Sequence, residues 1–157
     1  MRICGVEIKG TEAIISILDY REGLFTVPEC RARKVEFSKR NRTSDLAYFQ
    51  SSFGKLMVDY KVERVVIKER PLAGKFSGGG LGFKMEAAIQ LLDGIEVQTM
   101  SAQVLKASLK RNPVFVAFSE TGLKVFQEQA FNVAFASHMN DEYPPELHDN
   151  KLDTKAK

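Results

Sequence analysis

Two apolar runs open the chain, ICGVEI and AIISILD, lying between Arg2 and Asp19 and separated by Lys9, Gly10, Thr11 and Glu12. Short apolar runs on either side of a polar, glycine-containing break predict the two strands of a hairpin. Gly23 supports a second turn. The segment from Leu24 to Phe37 reads as a third strand, kinked or held at an edge by Pro28, which has no N–H to give to a ladder. The period then changes. In TSDLAYFQSSFGKLMVDYK, residues Leu46, Phe49, Phe53, Leu56, Met57 and Tyr60 recur at helical spacing behind a Thr43/Ser44 cap. VERVVIKE is a short, nearly continuous apolar strand, the pattern of a strand buried on both faces near the middle of a sheet.

Leu81, Met85, Ala88, Ile89 and Leu92 mark a second helix, closed at Gly94, and IEVQTM gives a fifth strand. SAQVLKASLKR forms a serine-capped helix that Asn112 and Pro113 stop. A last long helix is expected over about Glu120 to His138. This order predicts an α/β fold: a five-stranded mixed sheet that starts as an antiparallel meander and continues through right-handed crossover helices, with helices on both faces. Residues 1–140 are expected to form one domain, and residues 141–157, DEYPPELHDNKLDTKAK, a polar and loosely held tail.

Composition narrows the classes without choosing among them. The 23 basic and 20 acidic residues leave a net charge of +3, which permits contact with nucleic acid but is not the charge of a dedicated basic binder. Cys4 and Cys30 show no CxxC spacing, so neither a disulfide framework nor a zinc site is indicated. The start, MRICGVEIKG, lacks the long apolar segment of a signal peptide or membrane helix, and the chain reads as a cytoplasmic protein with no membrane partner.

The glycine cluster in KERPLAGKFSGGGLGFKMEAA follows a strand and opens into a helix, where free backbone amides can cradle a phosphate. Its spacing fails both phosphate motifs. Gly74 precedes Lys75, but Phe76 stands where a Walker loop needs Ser or Thr; Gly78, Gly80 and Phe83 miss GxGxxG at its last position. The carboxylates nearby carry more chemistry. Glu69 stands where the central strand ends, and ligands meet open sheets at strand ends. Glu7 lies in the first strand, where a carboxylate needs a cation, a metal or a donor; Lys9 and Lys68 are the simple partners.

GVEIKG, VVIKER and GKFSGGGLGFKMEAAIQ resemble the corresponding parts of the RuvC-like Holliday junction resolvases, of the ribonuclease H-like superfamily, and SAQVLKASLKRNP is similar to the segment after their fifth strand. The chain also resembles a bacterial family catalogued as domain of unknown function 3010, which shares GVEIKG and GFKMEAAIQ. The resolvase likeness implies two-metal phosphodiester hydrolysis, with Mg2+ or Mn2+ held by Glu7 and Glu69, a DNA or RNA substrate and a homodimer. Glutamate in the first strand replaces the resolvases' aspartate, and their last helix carries two aspartates where this chain offers Gln129 and Asn132, amides that could coordinate but bring no charge. Glu128, one residue away and roughly 100° around the helix, is the acidic substitute. The implied catalytic set is therefore Glu7, Glu69 and Glu128, and the implied metal set Glu7, Glu69, Gln129 and Asn132. A degenerate binding module that has lost part of the ligand set is the alternative.

Lys75, Lys84, Lys106, Lys110 and Arg111 are expected to surround the sheet end that carries Glu69 and to meet a nucleic-acid backbone there. The basic run RARKVEFSKRNR, residues 31–42, reads either as a phosphate-contacting segment or as edge-strand charge that discourages aggregation. His138 and His148 lack the HExxH spacing of a zinc hydrolase and read as surface residues.

Overall fold

A computed structural model describes residues 1–71 and 79–145. The hairpin forms as its pattern predicts: β1 (Arg2–Lys9) and β2 (Glu12–Arg21) pair antiparallel from Arg2↔Asp19 to Lys9↔Glu12, turning at Gly10, whose φ is +58°. The third extended segment is two strands. β3 (Leu24–Thr26) and β4 (Lys34–Glu36) both pair with the outer edge of β2, at Asp19–Arg21 and at Glu12–Ile14. Between them residues 27–33, with Pro28, leave the ladder. The sheet thus has six strands in five positions, ordered β3-β2-β1-β5-β6, with β4 beside β3 on β2.

The helix α1 (Thr43–Asp59) is preceded by Arg42, whose backbone N–H donates to the Asp45 carboxylate at 3.1 Å. That contact, three residues apart, replaces the Thr43/Ser44 cap expected from sequence. β5 (Arg64–Lys68) lies parallel to β1 and is central, α2 (Gly80–Gln90) follows it, and β6 (Glu96–Met100) adds a parallel edge. Ser101 caps α3 (Ala102–Arg111), its Oγ accepting from the Val104 N–H.

The last helix begins later and ends later than its expected span. Gly122, in the left-handed region at φ +79°, breaks the chain into two 3-10 turns, Phe118–Thr121 and Val125–Gln127, before α4 (Glu128–Glu142). That glycine stops the helix expected from Glu120.

Two cores flank the sheet. α1 and α2 pack Phe49, Phe53, Met57, Met85 and Ile89 against Cys4, Val6, Ile8, Val65 and Ile67. On the other face α3 and α4 pack Leu105, Phe131, Val133 and Phe135 against Ile3, Leu18 and Val66. α4 comes so close to β1 that a Cβ added at Gly5 would lie 1.8 Å from the Ala130 carbonyl oxygen. That contact seats the start of α4 over the end of β1, beside Glu7. His138, expected at the surface, is buried in the same face, its Nε2 2.8 Å from the Leu18 carbonyl oxygen.

Candidate functional site

The carboxyl ends of β1, β5 and β6 meet the amino end of α4 at one rim of the sheet. Which side chains share that rim follows from the pleat, because successive residues of a strand point to opposite faces. Along β1, Cys4, Val6 and Ile8 belong to the α1/α2 core and Ile3 to the α4 core, so Glu7 lies on the α4 side. Along β5, Val65 and Ile67 belong to the α1/α2 core and Val66 to the α4 core. Lys68 follows Val66 onto the α4 face, where its Nζ donates to Gln129 Oε1 at 3.2 Å. It stands one step beyond the Val6↔Ile67 register pair, beside Glu7.

Glu69 follows the last residue of β5. Its N–H continues the ladder to the Met100 carbonyl at 2.8 Å, and its charge acts on Glu86 of α2. Burial, and then the charge of Glu69, push the Glu86 carboxyl above the usual range, opposed by Arg70. Arg70 is held there by a bond from its Nη1 to the Ile8 carbonyl at 2.9 Å, over the Phe83 ring and tight against Gly82. Sequence reasoning misses Glu86 as a site residue; the signal available is its helical spacing from Gly82, one turn apart.

Register and pleat thus give Glu7 a lysine of β5, Lys68, as its neighbour on the α4 face. The α4 side holds an open groove of about 630 Å3 lined by Glu7, Lys9, Lys124, Phe126, Glu128 and Gln129, with Val125 at its edge. Asn132 lines a different crevice, with Leu109, Pro113 and Val114, and Glu128 borders both. The donor set does not fit a resident magnesium or manganese ion: Gln129 offers its oxygen to an ammonium, and that ammonium lies beside Glu7. Among the described residues no group of three or more His, Cys, Asp or Glu side chains could hold a metal ion.

The expected basic ring is also divided. Lys84 is exposed at the rim, its Nζ donating to Asn41 at 2.8 Å. Arg111 reaches Asn140 of α4 at 3.5 Å, next to Asp141, which pairs with Arg64 at the start of β5. This places Arg111, with Lys110 in the same turn, at the far end of the sheet from Glu69; Lys106 is exposed midway along α3. Lys75 and the loop of residues 72–78, like His148, lie outside the described residues. In the basic run, Arg31 pairs with Asp59 at 2.7 Å, Lys34 with Glu12, and Arg42 with Asp45 at 3.0 Å. Those three cations are engaged within the chain, in keeping with the edge-charge reading.

Residues 1–137 match the family model described as Protein of unknown function (DUF3010). The chain belongs to the DUF3010 family. Its structure is similar to that of Thermus thermophilus RuvC, with 13% identity, a TM-score of 0.68, and coverage of 90% of this chain and 96% of that one. It is similar also to T. thermophilus RuvC in complex with Holliday junction substrate, at 13% identity and a TM-score of 0.66, covering 92% of this chain and 96% of that one. This DUF3010 member therefore has a ribonuclease H-like fold. No curated protein matches the chain. Among the described residues, no helix is long and apolar enough to cross a membrane.

Proposed function

We propose that this DUF3010 chain is a ribonuclease H-like nucleic-acid-binding module that works without the two-metal centre of the resolvases. The observation that carries this reading is the Lys68–Gln129 contact beside Glu7. A cluster of carboxylates repels a phosphate unless metals neutralise it, whereas an ammonium at the same rim attracts one directly. Exposed Lys9 and Lys124 line the groove at that rim. The structural likeness to a RuvC bound to Holliday junction substrate favours DNA, branched DNA included, as the partner. The test is binding of a labelled four-way junction in EDTA and again with magnesium or manganese. Equal, salt-sensitive binding in both supports the module; binding that needs the metal overturns it.

A second reading, a divalent-metal-dependent nuclease, draws on Glu7, Glu128 and Gln129 sharing one groove. Under that reading manganese supports junction cleavage and Glu7→Gln abolishes it without changing the melting temperature. No cleavage by the unaltered chain in either metal excludes it.

A further inference from the structure

The two 3-10 turns before α4 leave a pair of apolar side chains in solvent at the groove: Val125 is 82% exposed and Phe126 43%. Their backbone is firmly held. Gln127, buried to 4% exposure, donates from Nε2 to the Ile15 carbonyl on β2 at 2.9 Å, and its Oε1 accepts from the Lys124 N–H at 2.9 Å. One amide side chain thus clamps the turn to the sheet and presents Lys124, Val125 and Phe126 outward as a rigid unit.

Chemistry along the groove alternates in a useful way. Lys9 and Lys124 supply cations, Phe126 an aromatic face, and Glu7 and Glu128 acceptor-only oxygens. Duplex DNA keeps its bases paired and stacked, so it can offer phosphates to the lysines but no free base face to Phe126. An unpaired nucleotide matches all three features: its phosphate meets the lysines, its base stacks on Phe126, and an exocyclic amine donates to a carboxylate. Thymine has no such amine, whereas cytosine has one.

We infer that the groove of Lys9, Lys124, Phe126 and Glu128 is a subsite for an unpaired nucleotide, with Phe126 as its stacking platform and a preference for amine-bearing bases. The inference rests on the nucleic-acid-binding reading above and adds to it the strandedness and base preference of the partner. It requires no metal and no chemical step.

Fluorescence anisotropy with labelled oligo(dC), oligo(dT) and a duplex of equal length tests it, on the full chain in EDTA. Oligo(dC) is expected to bind at least about threefold more tightly than oligo(dT), and Phe126→Ala to weaken oligo(dC) at least about fivefold while leaving the duplex unchanged. Phe126→Tyr restores binding, which separates stacking from a folding defect. Unchanged oligo(dC) affinity in Phe126→Ala overturns the platform even where the chain binds DNA. Failure of every probe to bind overturns the nucleic-acid reading itself. A change in self-association of Phe126→Ala, with oligonucleotide binding intact, assigns the exposed pair to a protein contact and also ends the proposal.

Discussion

The ammonium of Lys68 donates to the side-chain oxygen of Gln129 at 3.2 Å, joining the end of the central strand to the first turn of the last helix. A carboxylate at position 68 would place a second negative charge on the face of Glu7, with the Gln129 oxygen released and Glu128 at the same groove. Lys68→Glu is therefore expected to bind manganese more tightly than the native chain. At manganese a hundredfold above its dissociation constant, linkage would stabilise the variant by about 2.7 kcal/mol. Thermal melts with and without manganese check this; a variant whose melting temperature ignores the metal would show that the groove cannot gather its oxygens.

How much of this arrangement could be read beforehand depends on the parity of single residues. The hairpin, the central strand and the helical stripes of α1 and α2 follow from apolar spacing, because each buries one recognisable face. VVIKE was different. A strand apolar on both faces carries no alternation, so nothing in its pattern tells whether Lys68 or Glu69 shares a side with Glu7. Only the core membership of Val66 and the reach of Lys68 to Gln129 settle it. The break at Gly122 was legible as a glycine inside a helical pattern, and reading through it hid the exposed Val125 and Phe126. His138 stands at the end of the helix that spacing predicts, but α4 continues to Glu142 and carries it into the core.

Gly5 sets the distance between β1 and α4. A methyl group at 1.8 Å from the Ala130 carbonyl oxygen cannot be relieved by a side-chain rotation, since the clash is with backbone. Gly5→Ala is expected to cost about 3 kcal/mol and to lower the melting temperature by about 6–12 °C. Because the displaced element is the start of α4, the same variant should lose affinity for oligonucleotides. A melting temperature equal to that of the native chain would mean that the helix stands further from the strand.

His138 makes stability depend on pH in the mildly acidic range. Burial first, and then the positive charges of the amino terminus and Arg64, hold its imidazole below the usual range, against the Leu18 carbonyl and Asp141, which favour its charged form. With the folded value below the unfolded one, the unfolded chain binds the extra proton more readily as pH falls. The contribution is complete above the ordinary value of 6.5 and is lost progressively below it. Urea midpoints measured from neutral pH to about pH 5 should decline more steeply for the native chain than for His138→Leu. Parallel slopes would assign the decline to other groups.

Glu86 is expected to be a residue whose neutralisation stabilises the fold. It is buried on α2, its Oε2 has no hydrogen-bond partner among the described residues, and burial and the Glu69 charge both disfavour its ionised form, with Arg70 as partial compensation. Its folded value lies above the ordinary one. Its contribution to stability is therefore most favourable at pH below the glutamate range and declines as pH rises through the unfolded value towards the folded one. Glu86→Gln keeps the shape and removes the charge. Near neutral pH it should raise the melting temperature by about 2–4 °C, the shift that about 1 kcal/mol produces in a chain of this size, and the advantage should vanish in acid. A loss of stability at neutral pH would mean that the Arg70 attraction outweighs burial, and that the rim of α2 relies on the charge it carries.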